Sequence, residues 1–359
     1  MEGTMKAQVY YSPEIMKLEQ VPVPTIRENQ ILIRVRACGV CGSDVSYFFG
    51  RSPLETNNGL GPLILGHEFA GEIVEMGSVA AESGLFAIGD RVLGNPVQQC
   101  GACPNCIRAD VNLCVHPRTK GVSTDGAFAE YTVMDMTHVH KIPDNITLEE
   151  AALCEPLACA TYGVKKLNVQ LGDFTVIYGP GAIGLMMLQL IKAVGAGRVM
   201  MVGILDYGLK KALELGADIA CNTLDKNSPY YCADVTRRVS ELTGGEMAKR
   251  VIVPTNAKAA LQGALEVSGK KSKIVYFGLP GTDTKLEIPL LDFLTKDKSI
   301  DVSWLAPYTW DTAIKAMAEH KIELAPLVTH KFPLESLEDA IRFMDNNAQP
   351  EKIKCVIQL

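Results

Sequence analysis

The sequence predicts an α/β protein in two parts, a β-rich body and a doubly wound parallel sheet with helices on both faces. Three observations carry this. The chain has 359 residues, more than one core ordinarily holds. Residues 40–150 are rich in Gly and Pro and carry short strand-like runs, such as Phe69 to Val74 and Ala127 to Val133. From Phe174 onward, short apolar runs alternate with helical stretches, the pattern of a parallel sheet covered on both sides.

The elements follow in order. Residues 6–12 and 30–37 read as strands, because Gln30-Ile-Leu-Ile-Arg-Val-Arg36 nearly alternates apolar with charged side chains. Phe174 to Tyr178 is an apolar strand and Ala182 to Val194 the helix after it. Arg198 to Val202 is a strand and Leu209 to Leu215 a helix. Ile219 to Asn222, Arg250 to Val253 and Lys273 to Gly278 are further strands, with helices near 232–242 and 256–268. Residues 311–320 and 336–345 read as helices, and Lys352 to Gln358 as a closing strand. No internal repeat or low-complexity segment interrupts the series.

Composition excludes several functions. Hydrophobic residues make up 47% and charged residues 21%, enough apolar surface for packed cores. A net charge of -6 with no long basic run argues against binding nucleic acid. The longest apolar stretch, Ala182 to Val194, is broken by Gln189 and Lys192 and is too short to span a bilayer. Met1 to Lys6 lack the apolar core of a signal peptide, and residues 1–4 read as a start-site variant or as added residues. Four of the 11 cysteines are clustered and seven scattered, which points to metal binding in a reducing compartment, the cytoplasm.

The clustered four are Cys100, Cys103, Cys106 and Cys114, with two, two and seven residues between them, within a lobe at 95–115. Such spacing lets one loop wrap a tetrahedral ion, with Gly101 and Pro104 supplying tight turns. Structural zinc is favoured over an iron–sulfur cluster or four unrelated buried thiols. The site is closed and has no position left for a substrate.

Gly179-Pro180-Gly181-Ala182-Ile183-Gly184 lies between an apolar strand and an apolar helix. In that setting the loop fits a dinucleotide pyrophosphate better than an ordinary strand–helix turn. The next strand ends at Gly203, where an acid that bonds the adenosine ribose is expected; Asp206 comes three residues later, and Lys210 and Lys211 are the nearest cations. The pattern selects neither NAD nor NADP. Asp at 203 is expected to favour NAD, and Arg at 205 or 208 to favour NADP.

Cys41, His67, Glu68 and Glu155 are dispersed ligand candidates, in Gly39-Val-Cys41-Gly-Ser43-Asp44, Gly66-His67-Glu68 and Cys154-Glu155-Pro156. Each taken alone reads equally as a buried small residue, a core histidine or a loop acid, and spacing does not show that they meet.

Taken together, these motifs resemble the zinc-containing medium-chain alcohol/polyol dehydrogenase family, from Met5 to Leu359, and within it the sorbitol (L-iditol 2-)dehydrogenase branch. The resemblance implies a GroES-like β-barrel catalytic domain at 1–155 and 296–359 and a Rossmann-type domain at 156–295. It implies a catalytic zinc on Cys41 and His67 with Glu68 or Glu155 as third ligand, the two able to exchange. It places Asp44 in support of His67, and gives Ser43 the proton of the reacting hydroxyl. Tyr47, Phe48 and Phe128 would be pocket walls. Ser46 stands where relatives carry a relay histidine, and Gly208 where they often carry Arg. The implied activity is oxidation of a secondary alcohol, a polyol or sugar-like compound, to a ketone, with a homo-oligomer, tetramer or dimer, as the working form. Threonine, glucose, inositol-type and simple alcohols are alternative substrates, and a non-catalytic dinucleotide- or redox-sensing zinc protein is the alternative of another class. A zinc-free enone or quinone reductase would lack both cysteine motifs.

Overall fold

A computed structural model describes residues 3–52, 61–346 and 349–359. Of the suggested start-site residues 1–4, residues 1 and 2 therefore lie outside the described part. The chain divides into two compact units. One comprises Met1–Pro156, Trp310–Ala318 and Leu324–Leu359; the other comprises Leu157–Thr309 and Glu319–Glu323.

The first unit is built on a seven-stranded sheet. Its central strand, Gln30–Gly39, pairs antiparallel with Glu68–Met76, Tyr131–Asp135 and Lys354–Gln358. Ile31, Leu32, Ile33 and Phe69 bury their side chains in one apolar core with Phe48 and Phe128. Register decides what lies at the strand's end: Gly39 stands opposite Glu68 on one side and Val356 on the other. Cys41 follows two residues later and caps the short helix Gly42–Phe48.

The second unit is a six-stranded parallel sheet. Its strands run in the order Ile219–Asn222, Val199–Gly203, Thr175–Tyr178, Ala248–Val253, Ser268–Tyr276 and Ser299–Val302. Within this unit the chain winds outward from Thr175–Tyr178 in one direction and then restarts beside it, so the switch point falls between Thr175–Tyr178 and Ala248–Val253. In open α/β sheets ligands bind at the carboxyl ends of the strands at such a point. Gly179 lies there. Helix Ala182–Ala193 follows, with Leu185, Met186, Met187 and Leu188 buried.

Three departures from the sequence reading have local causes. Strand Ser299–Val302 pairs with Ser268–Tyr276, so the parallel sheet runs beyond residue 295. Ala127 and Phe128 are not in a strand, because their backbone bonds go to Leu65, Gly66 and Gln8. Helix Cys154–Leu167 was not anticipated; the Glu-Pro pair reads as a boundary, yet Pro156 sits in its first turn, where no backbone N–H is needed. No helix among the described residues is long and apolar enough to cross a membrane.

Candidate metal centres and dinucleotide loop

Cys100, Cys103, Cys106 and Cys114 bring their sulfurs within 4.8 Å of one another. The Cys103–Cys106 separation is 3.5 Å and the Cys100–Cys106 separation 4.0 Å. Zn–S bonds of about 2.3 Å in a tetrahedron place sulfurs about 3.8 Å apart, so these spacings suit zinc. Backbone N–H groups of Val115 and Cys106 lower the Cys103 pKa to about 6, favouring the thiolate that a metal needs. Cys103→Ser is therefore expected to release this ion and to lower the thermal midpoint. Metal analysis and thermal unfolding check this, and an unchanged zinc content would contradict it.

Cys41, His67 and Glu68 form a second converging group, again within 4.8 Å. Glu155, in the first turn of helix Cys154–Leu167, is not one of the groups that converge there. His67 and Glu68 are buried, and Cys41 is partly exposed. Asp44 accepts the Cys41 N–H at 2.8 Å through Oδ2 and sets the backbone of the turn. Its other oxygen lies 3.5 Å from His67 Nδ1, beside the ring but beyond a hydrogen bond. Ser43 Oγ lies 3.4 Å from His67 Nε2. Ser46 Oγ instead bonds back to the carbonyl of Gly42 at 2.9 Å.

Lys354 completes this arrangement, and the sequence reading missed it. Its Nζ donates to Glu68 Oε1 at 2.7 Å and lies 2.5 Å from Oε2, with both side chains buried. The two residues reach each other across the central strand because Gly39 has no side chain. A Cβ there would lie 2.2 Å from Glu68 Oε2 and 3.1 Å from Lys354 Cε. Burial disfavours the charge on Lys354, but Glu68 and Cys41 outweigh it and raise its pKa. The signal in the sequence was a lysine next to the apolar run Cys355-Val-Ile357 of an interior strand.

These residues fit a cation. Glu68 Oε2 is buried with the Lys354 ammonium at 2.5 Å, and His67 Nδ1 is buried with no hydrogen-bond partner among the described residues. Burial opposes a charged His67, yet Asp44 and Cys41 outweigh it and hold the ring well above its ordinary pKa. A thiol, an imidazole and a carboxylate gathered in such a negative setting are borderline-soft ligands of the kind zinc takes.

Of the suggested pocket aromatics, Phe48 and Phe128 are 0% exposed and belong to the core of their unit. Both pack into that core, and Phe128 lies against Gly66, the residue before His67. Tyr47 is also buried, and its hydroxyl has no hydrogen-bond partner among the described residues.

In the dinucleotide loop, three glycines have three different causes. Gly179 has φ of +110°, which favours glycine. A Cβ on Gly184 would meet the carbonyl oxygen of Gly179 at 1.9 Å, so close packing requires glycine. Gly181 has an ordinary φ of -84° and nothing within 4 Å of its would-be Cβ. No atom of the described residues demands glycine there. The open space leaves room for a ligand to approach the backbone at the N-terminus of helix Ala182–Ala193, as a pyrophosphate would.

The alcohol dehydrogenase GroES-like domain family matches residues 27–144, and the zinc-binding dehydrogenase family matches residues 182–319. Sorbitol dehydrogenase of Halalkalibacterium halodurans is 33% identical, covering 90% of each chain. D-arabitol-phosphate dehydrogenase of Enterococcus avium is 31% identical, covering 100% of this chain and 98% of its own. A Sinorhizobium meliloti protein whose crystal structure is bound to NADP superposes with a TM-score of 0.91 at 28% identity, covering 99% of this chain and 100% of its own.

Proposed function

The chain belongs to the zinc-binding alcohol dehydrogenase family, and from that premise we propose that it oxidises a polyol or sugar-like secondary alcohol to the ketone, using NAD or NADP, at Cys41, His67 and Glu68. The observation that carries the reading is the convergence of these three donors, with the Glu68 carboxylate buried and held by Lys354. Zinc held there supplies a Lewis acid that makes a bound hydroxyl more acidic, and the dinucleotide supplies the hydride acceptor.

The chain's own residues do the rest. Lys354 holds Glu68 in place and offsets its charge. Asp44 holds the turn that presents Cys41. Ser43, beside His67 Nε2, takes the proton of the reacting hydroxyl. Beyond Ser43 the proton would pass to water, because the Ser46 hydroxyl is turned back onto its own helix.

The polyol assignment draws on relatives that act on sorbitol and on D-arabitol phosphate, and on Glu155 as an acceptor for further substrate hydroxyls. Steady-state kinetics test it. Sorbitol-like polyols are expected to exceed short aliphatic alcohols in kcat/KM, and Glu155→Ala to lose polyol activity by about tenfold or more. Better turnover of aliphatic alcohols would sink the polyol assignment.

Two further parts of the reading concern the molecule in the cell. Strand Ser299–Val302 is an open edge of the parallel sheet, and Leu290, Leu291 and Leu294 are exposed in the same unit. Both features support a homo-oligomer, dimer or tetramer. A four-thiol lobe needs reduced sulfur, which supports a cytoplasmic location.

A further inference from the structure

Gly203 ends strand Val199–Gly203, and Gly208 lies in helix Asp206–Glu214. An acid at the end of this strand and an arginine shortly after it are the usual means of choosing between NAD and NADP. Both positions face the same residue. A Cβ on Gly203 would lie 2.6 Å from Cδ and from Cγ of Pro180, with Leu209 Cδ2 next at 3.5 Å. A Cβ on Gly208 would lie 2.6 Å from the carbonyl oxygen of Pro180 and 3.1 Å from its Cβ and Cγ. A pyrrolidine ring cannot swing aside as a flexible side chain does.

Two of the other charged groups nearby are engaged. Asp206 Oδ1 accepts from Asn222 Nδ2 and from Ser228 Oγ, both at 2.6 Å. Lys211 pairs with Glu214 at 2.6 Å. Ile204 and Leu205, directly after Gly203, are exposed and apolar.

We propose that Pro180 determines cofactor selectivity in this enzyme, its ring filling the space that a selecting side chain would occupy. The inference rests on the reading that the loop Gly179–Gly184 cradles the dinucleotide. It argues against the expectation that Asp at 203 alone favours NAD and that Arg at 208 favours NADP, since a side chain at either position meets Pro180. It also makes the two glycines unequal. Pro180→Ala removes both atoms that block 203 and leaves only the ordinary 3.5 Å contact to Leu209. It leaves the carbonyl oxygen that blocks 208.

The test measures Kd for NADH and for NADPH by fluorescence on zinc-loaded enzyme, with zinc content and thermal midpoint as checks of folding. Gly203→Asp alone should weaken both cofactors by about tenfold. The double variant P180A/G203D should regain NADH affinity to within about threefold of wild type and bind NADPH about tenfold more weakly than NADH. P180A/G208R should gain no NADPH preference. The proposal is overturned if Gly203→Asp alone becomes NADH-selective at native affinity, if a folded P180A/G203D fails to recover, or if P180A/G208R becomes NADPH-selective. Gly181→Val separates the underlying reading: if it leaves both affinities unchanged, the loop does not hold the dinucleotide, and the proposal falls with it.

Discussion

Cys41→Ser is expected to lower kcat/KM by about a thousandfold or more, which is about 4 kcal/mol of lost transition-state stabilisation. Serine matches cysteine in shape but does not ionise near neutral pH, so it cannot replace a thiolate ligand. The local fold should survive the change. Cys41 caps helix Gly42–Phe48, serine is a preferred residue at that position, and Asp44 still accepts the residue 41 N–H. Loss of turnover with a nearly unchanged thermal midpoint is thus the expected pair of results. A variant that keeps more than about a tenth of wild-type activity would remove Cys41 from the reaction.

Lys354→Met should cost stability. Taking the ammonium away leaves the Glu68 carboxylate buried without its cation, and breaking one side of a buried ion pair typically costs about 3–5 kcal/mol. Methionine has nearly the shape of the lysine stem, so little of the loss comes from packing. Denaturant midpoints for Lys354→Met, Glu68→Gln and the double variant, all stripped of zinc so that Glu68 has no other cation, form the test. The double variant should recover at least half of the loss, because no unpaired charge remains. Equal losses in Lys354→Met and in the double variant would mean that Lys354 contributes through packing alone. The same residues explain Gly39: any side chain there would push Glu68 and Lys354 apart.

How much of this was legible in the sequence depended on how far apart the partners lie. The four-cysteine lobe could be read directly, because all its ligands fall within fifteen residues and spacing alone constrains them. The glycine loop was legible because strand, turn and helix are contiguous there. Cys41, His67 and Glu68 were ligand candidates one by one, and only the resemblance implied that they meet. What brings them together is the register of Gly39 against Glu68, a property of strand pairing that residue spacing does not carry. Lys354 lies 286 residues from Glu68 and was read only as part of a closing strand. Phe48 and Phe128 were read as pocket walls by resemblance, but their rings lie in the core, a direction that only packing decides. Pro180 and Gly203 were each noted separately; that one ring fills the space of the other's missing side chain became visible only in three dimensions.

The central claim is that a closed four-thiolate site and a separate Cys41–His67–Glu68 site each hold one zinc, and that only the second supports turnover. Zinc counted per chain in active wild-type enzyme and in Cys41→Ser, alongside turnover of the same samples, tests this most directly. The account predicts two zinc ions in the wild type and one in the inactive variant, retained at the cysteine lobe. Fully active wild-type enzyme carrying a single zinc, bound at Cys100, Cys103, Cys106 and Cys114, would contradict it.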